Sequence, residues 1–170
     1  NVRRLDAPSK VTGALRYAGD MVVPDMLHMQ VLRSPHPHAL IKSIDTADAE
    51  AIAGVEAVVT AADISGDGEF GVFVHDQPTL AAGKVRYVGE AIAAVAAESE
   101  VIAREAVKAI KIEFEELPAV FDPKIAMAEG GPVLHDYAQD NVTYHVPIRK
   151  GDTEKGFAEA DVIVEQDYDT

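Results

Sequence analysis

The stretch Ala91 to Phe114, AIAAVAAESEVIAREAVKAIKIEF, decides the fold. Its first seven residues are uniformly apolar and too few for a helix core, so they read as a buried strand bounded by Gly89 and Ser99. Ser99 is placed to cap a helix, because its hydroxyl can accept an otherwise orphaned first-turn N–H. Ile102, Ala106 and Ile110 then recur every fourth residue, with Ala103 and Val107 beside them, giving one apolar stripe that runs through Ala109. Lys111 to Phe114 is the next strand. Strand, helix, strand in this order predicts a crossover unit with right-handed parallel pairing.

Upstream, Met26 to Ser34 nearly alternates apolar and polar residues, and His38 to Ile44 alternates again beyond Pro35 and Pro37. Both predict strands, and the prolines force an extended or turning link between them. Asp45-Thr46 is suited to capping a short helix over Ala47 to Ile52, and β-branched Val55 to Thr60 predicts a third strand. The first twenty residues, with Pro8, Gly13 and Gly19, read as an extended lead-in. Residues 61 to 84 are irregular, punctuated by Gly66, Gly68, Gly71, Pro78 and Gly83 around Val72-Phe73-Val74. A loop this long inside a compact domain is often functional. Downstream, Pro123 suits the first turn of a short helix ending near Gly130-Gly131, and Gly151-Asp152-Thr153 opens another toward Ala158. Asn141 to Val146 and Ala160 to Tyr168 read as strands, and a final strand with no partner after it leads us to expect a longer natural chain. The expected architecture is one α+β domain over residues 1–170, a mixed sheet of short strands with two or three helices.

Composition narrows the function. The 170 residues are 48% hydrophobic and 26% charged, with a formal net charge of −14 and no cysteine. This is globular composition, and no apolar run nears the roughly 20 residues that span a bilayer. The acidic balance gives no basic stripe for phosphates, so nucleic acid is not an expected partner. Without cysteine there is no disulfide, thiolate metal ligand, iron–sulfur cluster or thiol nucleophile in the segment, which fits a reducing, cytoplasmic location.

Candidate chemistry is sparse. His36 and His38 share a face on an extended chain, but prolines interleave them and no nearby carboxylate completes a metal set, which favours hydrogen bonding across a turn. His28 falls on the polar face of its strand, and His135 and His145 have no reactive neighbours in sequence. His75 adjoins Asp76 in the irregular loop, so an imidazole–carboxylate pair is possible. Gly66-Asp67-Gly68 is a turn signal, and Asp63, Asp67 and Glu69 lack the far acidic ligand of a calcium loop. Glu115 and Glu116 point to opposite sides of a strand, a poor arrangement for paired acid–base work. Neither a nucleophile elbow nor a phosphate-binding glycine loop occurs.

Several segments taken in order resemble the α/β hammerhead domain at the start of the molybdopterin-binding subunit of xanthine dehydrogenase and aldehyde oxidase-type hydroxylases. They are Arg4 to Asp20 (RLDAPSKVTGALRYAGD), Leu32 to Asp45 (LRSPHPHALIKSID), Gly54-Val55 with Thr60-Ala61-Ala62-Asp63, Lys84 to Ala94 (KVRYVGEAIAA), Ile112 to Pro123 (IEFEELPAVFDP), and Gly151-Asp152 with Phe157 and Ala160-Asp161. The resemblance implies an N-terminal domain of a molybdenum-dependent hydroxylase that supplies scaffold and substrate-channel wall and is inactive in isolation. It implies a molybdopterin-type cofactor bound outside these residues by later domains of the same chain. It also implies iron–sulfur clusters and FAD on partner domains or subunits, and a small aromatic, heterocyclic or aldehyde substrate. It carries over no catalytic, cofactor-binding or metal-binding residue. It does assign Val72 and Phe73 to the mouth of the substrate channel, where the aromatic face could stack on a planar substrate. A stand-alone small-molecule binding module, and a hydrolase built on His75 and Asp76, are the competing readings.

Overall fold

The computed structural model describes residues 4–66 and 68–168. Around the deciding stretch it forms strand β7 (Ala91–Ala97), helix α3 (Glu100–Ala109) and strand β8 (Lys111–Glu116). The Ser99 side chain accepts from the Ile102 N–H and starts α3 as expected. The other strands are β1 (His28–Arg33), β2 (Ala39–Asp45), β3 (Val55–Thr60), β4 (Glu69–Phe70), β5 (Gln77–Pro78) and β6 (Lys84–Val85). Short helices are α1 (Ala7–Val11), α2 (Ala47–Glu50), α4 (Pro123–Ala126) and α5 (Thr153–Ala158).

Two three-stranded sheets are formed, in the orders β1-β7-β3 and β6-β2-β8, with β4 and β5 as a separate hairpin. The α+β expectation holds, and among the described residues every pairing is antiparallel. The expected parallel crossover is therefore corrected: β7 and β8 lie in different sheets. Both hydrogen-bonding edges of β7 are taken, with Val95 opposite Gln30 on one side and Val58 on the other. The chain leaving α3 finds its edge on β2 instead, from Asp45 opposite Lys111 to Ala39 opposite Glu116.

Burial explains why β7 is so apolar. Ala93 and Val95 face Ala49, Ala106 and Ile110 beneath the helices. Ile92 points the other way and packs with Ala39, Ala81 and Val85. Ile44 and Ile112 touch both clusters and join the two sheets into one core. The turn into β3 uses Gly54 at φ +86°, where a Cβ would sit 2.9 Å from Ile102 Cδ1.

Three further differences concern the chain ends. The lead-in expected to be extended contains α1 and a 3₁₀ turn over Ala18–Asp20. Pro8 in the first turn of α1 and the Asp20 carboxylate accepting from Tyr17 N supply the local reasons. The strands expected over Asn141 to Val146 and Ala160 to Tyr168 are not formed. Both segments are exposed from residue 142 onward, and among the described residues no strand edge pairs with them. Alternation favours a strand only where a neighbouring backbone supplies the ladder. Between them, α5 forms as expected, with Asp152 accepting from Lys155 N.

Candidate functional site

The irregular stretch folds as a hairpin. Strands β4 and β5 pair Glu69 with Pro78 and Phe70 with Gln77, and Thr79 N donates to Gly68 O at 2.8 Å. Residues 71–76 form its tip. Gly71 is required there, because a Cβ would lie 1.8 Å from the Val74 carbonyl oxygen. The turn lifts Val72 and Phe73 into solvent, at 89% and 76% exposure.

Residues from much later in the chain brace this tip at two points. The Phe73 ring stacks on Tyr144 with centroids 5.2 Å apart and planes 5° from parallel. The Tyr137 hydroxyl donates to Asp76 Oδ2 at 2.6 Å. The accepting carboxylate holds the Tyr137 proton and raises its pKa above the ordinary phenol value. Asn141 fixes the approach of this segment: its side chain donates to the Ala126 and Pro132 carbonyls and accepts from Leu134 N.

Below the tip is a cleft of about 340 Å³ whose walls include Phe70, Asp76, Arg86, Tyr87, Glu90 and His135. Glu90 is buried and accepts from the Arg86 backbone N–H. The Arg86 guanidinium lies 3.9 Å from Glu90 and donates through Nε to the Leu134 carbonyl. His135 packs 5.5 Å from the Tyr137 ring. Burial lowers its pKa, and the Arg86 charge lowers it further.

This donor set does not fit an anionic pterin phosphate. Arg86 is committed to Glu90 and Leu134, and the neighbouring Lys84 pairs with Asp136 at 3.4 Å. Two carboxylates, Asp76 and Glu90, would face the phosphate in the same cleft. Among the described residues no group of three or more His, Asp or Glu side chains is arranged to hold a metal ion.

The remaining sequence candidates are dispersed. His38 is buried with Nδ1 on the Pro118 carbonyl, whereas His36 turns to Glu116 at 3.4 Å and packs on Phe114. The carboxylate beside His36 thus comes from across the sheet. His75 is exposed, and its neighbour Asp76 is engaged by Tyr137, so the proposed imidazole–carboxylate pair gives way to a phenol–carboxylate pair. His28 lines a separate surface cleft with Glu56 and Glu98, and His145 is exposed. Asp63 accepts from the Thr60 N–H and hydroxyl, closing a 3₁₀ turn, and those bonds lower its pKa. Asp67 lies outside the described residues. Glu115 pairs with Lys42, opposite in direction to Glu116, as expected. Tyr137 and Tyr144 were not singled out by the sequence; Arg86 and Glu90 fall within the Lys84 to Ala94 segment of the resemblance, which gave them no role.

Residues 12–118 match the model of the aldehyde oxidase and xanthine dehydrogenase a/b hammerhead domain. The chain is 43% identical over 166 residues to a probable xanthine dehydrogenase component of Bacillus subtilis (strain 168), covering 98% of this chain and 22% of that protein. It is 40% identical over 170 residues to the nicotinate dehydrogenase large molybdopterin subunit of Eubacterium barkeri, covering 100% of this chain and 40% of that protein. The crystal structure of the aldehyde oxidoreductase from Desulfovibrio gigas superposes with a TM-score of 0.81 at 35% identity, over 94% of this chain and 19% of that one. The chain therefore spans less than half the length of the relatives it matches.

Proposed function

The chain belongs to the aldehyde oxidase and xanthine dehydrogenase family through its hammerhead domain, and from that premise we propose that it is the scaffold and substrate-channel wall of a molybdenum-dependent hydroxylase. The observation that carries this reading is the hairpin tip, which presents Val72 and Phe73 to solvent and is contacted from later in the chain by Tyr144 on Phe73 and Tyr137 on Asp76. Held side by side on one tip, they offer an apolar contact to whatever the rest of the protein brings against it.

The molybdenum cofactor would be held by other parts of the protein and would supply the oxidative chemistry. Electrons would leave through iron–sulfur and flavin partners. This chain's own work is to orient a small aromatic, heterocyclic or aldehyde substrate and to exclude water from its apolar side. None of its side chains is assigned a proton-transfer step.

In the complete gene product, molybdenum analysis and an electron-acceptor assay should show the metal and turnover. Phe73→Ala should leave the molybdenum content unchanged while raising KM or altering substrate preference more than kcat. Unchanged kinetics on every accepted substrate would remove the channel role. A metal-free product that still bound small molecules would favour a binding module without redox function.

A further inference from the structure

Strand β7 has a carboxylate at each end. Glu90 precedes it at the hairpin cleft, and Glu98 follows it, about 25 Å away at the usual rise of a strand. Residues 134–144 return to the Glu90 end, where they meet Arg86, Asp76 and Phe73. At the Glu98 end lies a separate cleft of about 650 Å³. Val22, Val23, Met26 and Leu27 give it aliphatic walls, and three exposed carboxylates, Asp25, Glu56 and Glu98, line it with them. Glu98 is held over the entry to β3: its backbone N–H donates to the Gly54 carbonyl at 2.9 Å, and a Cβ on Gly54 would lie 3.2 Å from its Oε2. Elsewhere on the surface Glu115 pairs with Lys42 and Asp48 with Lys111. Among the described residues none of the three cleft carboxylates has an ion-pair partner, and neither lysine nor arginine lines the cleft.

We propose that this cleft docks a segment of a partner subunit in which a lysine or arginine is flanked by aliphatic residues. The charge of the cleft is of one sign and unanswered, so a cation brought from outside relieves the repulsion among its carboxylates. A lysine or arginine suits the walls as well, because its aliphatic stem lies along apolar surface while its charged head stays at the carboxylates. The length of β7 decides the source. The later residues of this chain that reach back do so at the Glu90 end, and the Glu98 end is left to a separate polypeptide. This surface would stand even if Phe73 had no part in substrate binding.

The probe is the peptide acetyl-Leu-Lys-Val-Arg-Leu-amide, with acetyl-Leu-Glu-Val-Glu-Leu-amide and acetyl-Ser-Lys-Ser-Arg-Ser-amide as controls. Dissociation constants are measured by ligand-detected NMR on the complete gene product. The probe should bind at least about 3-fold more tightly than either control, and more weakly as salt rises from about 0.05 M to about 0.5 M. Combining Asp25→Asn, Glu56→Gln and Glu98→Gln removes the charge with little change of shape, and asparagine tolerates the φ of 58° at position 25. This triple variant should weaken the probe about 3- to 30-fold and flatten its salt dependence. Glu113→Gln, on β8 in the other sheet, should leave the affinity unchanged. An equal loss in Glu113→Gln would assign the binding to overall negative charge and overturn the site. Binding that the triple variant leaves intact overturns it too. A cleft already filled by the chain's own later residues would leave the probe unbound, and that result overturns the partner reading. A dimer of the unmodified protein that the triple variant splits into monomers would make a second copy the occupant and overturn it likewise.

Discussion

His38 donates its Nδ1–H to the Pro118 carbonyl at 2.7 Å, tying the entry of β2 to the exit of β8. The carbonyl can only accept, so the bond fixes the imidazole tautomer. The His38 carbonyl in turn accepts from Leu117 N at 2.9 Å, which makes the link reciprocal. His38→Ala removes the bond and opens space in a buried position. It should cost about 1–3 kcal/mol in urea unfolding, and His38→Phe should recover the packing part only.

His135 gives the protein a pH dependence of definite sign. Its folded pKa is lowered from 6.5 by burial first and by Arg86 second. Just below pH 6.5 the unfolded chain takes up a proton that the folded chain does not, so unfolding is favoured as pH falls. The loss begins near the unfolded value and is complete below the folded one. His135→Gln should flatten that limb of a plot of urea midpoint against pH. An unaltered limb would show that His135 is not its source.

The Tyr137–Asp76 contact is open to spectroscopy. Tyr137 should ionise later than an ordinary tyrosine, because its proton is held by the Asp76 carboxylate. In an ultraviolet titration, Asp76→Asn should move one phenol back toward 10.0, the unperturbed value. Tyr137→Phe should remove that late-titrating phenol altogether.

Gly71→Ala tests whether the shape of the tip matters. The added Cβ would collide with the Val74 carbonyl oxygen, so the turn must open and carry Phe73 with it. In the complete gene product, KM should rise with a smaller change in kcat, resembling the Phe73→Ala phenotype. Stability should fall by about 1–3 kcal/mol, as for other overpacked sites.

Ser99→Ala removes the acceptor for Ile102 N at the start of α3. The expected cost is about 1 kcal/mol of stability, read from thermal or urea unfolding. Because α3 covers the cluster of Ala93 and Val95, the loss should appear in global unfolding and not as local fraying.

Much of the site's frame was legible because its signals are local. Ser99 capping α3, Asp152 capping α5 and the bounds of β3 follow from side chains acting within a few residues. The hairpin tip was marked by its glycines and by its length. Its braces were not, since Tyr137 and Asp76 are separated by 61 residues and no periodicity links them. The same holds for His36 and Glu116, whose contact depends on the pairing of β2 with β8.

The stretch from Ala91 to Phe114 thus determined by itself that a buried strand, a capped helix and a second strand would form in that order. Only the tertiary structure decided where the strands went. Backbone hydrogen bonds along a strand edge carry almost no side-chain information, so the choice fell to whichever edge was vacant and whichever face could bury Ile92 and Ile112. Burial of those two side chains, with the edges of β7 already filled, placed β8 beside β2. A similar choice left Phe73 stacked on Tyr144 and open to solvent.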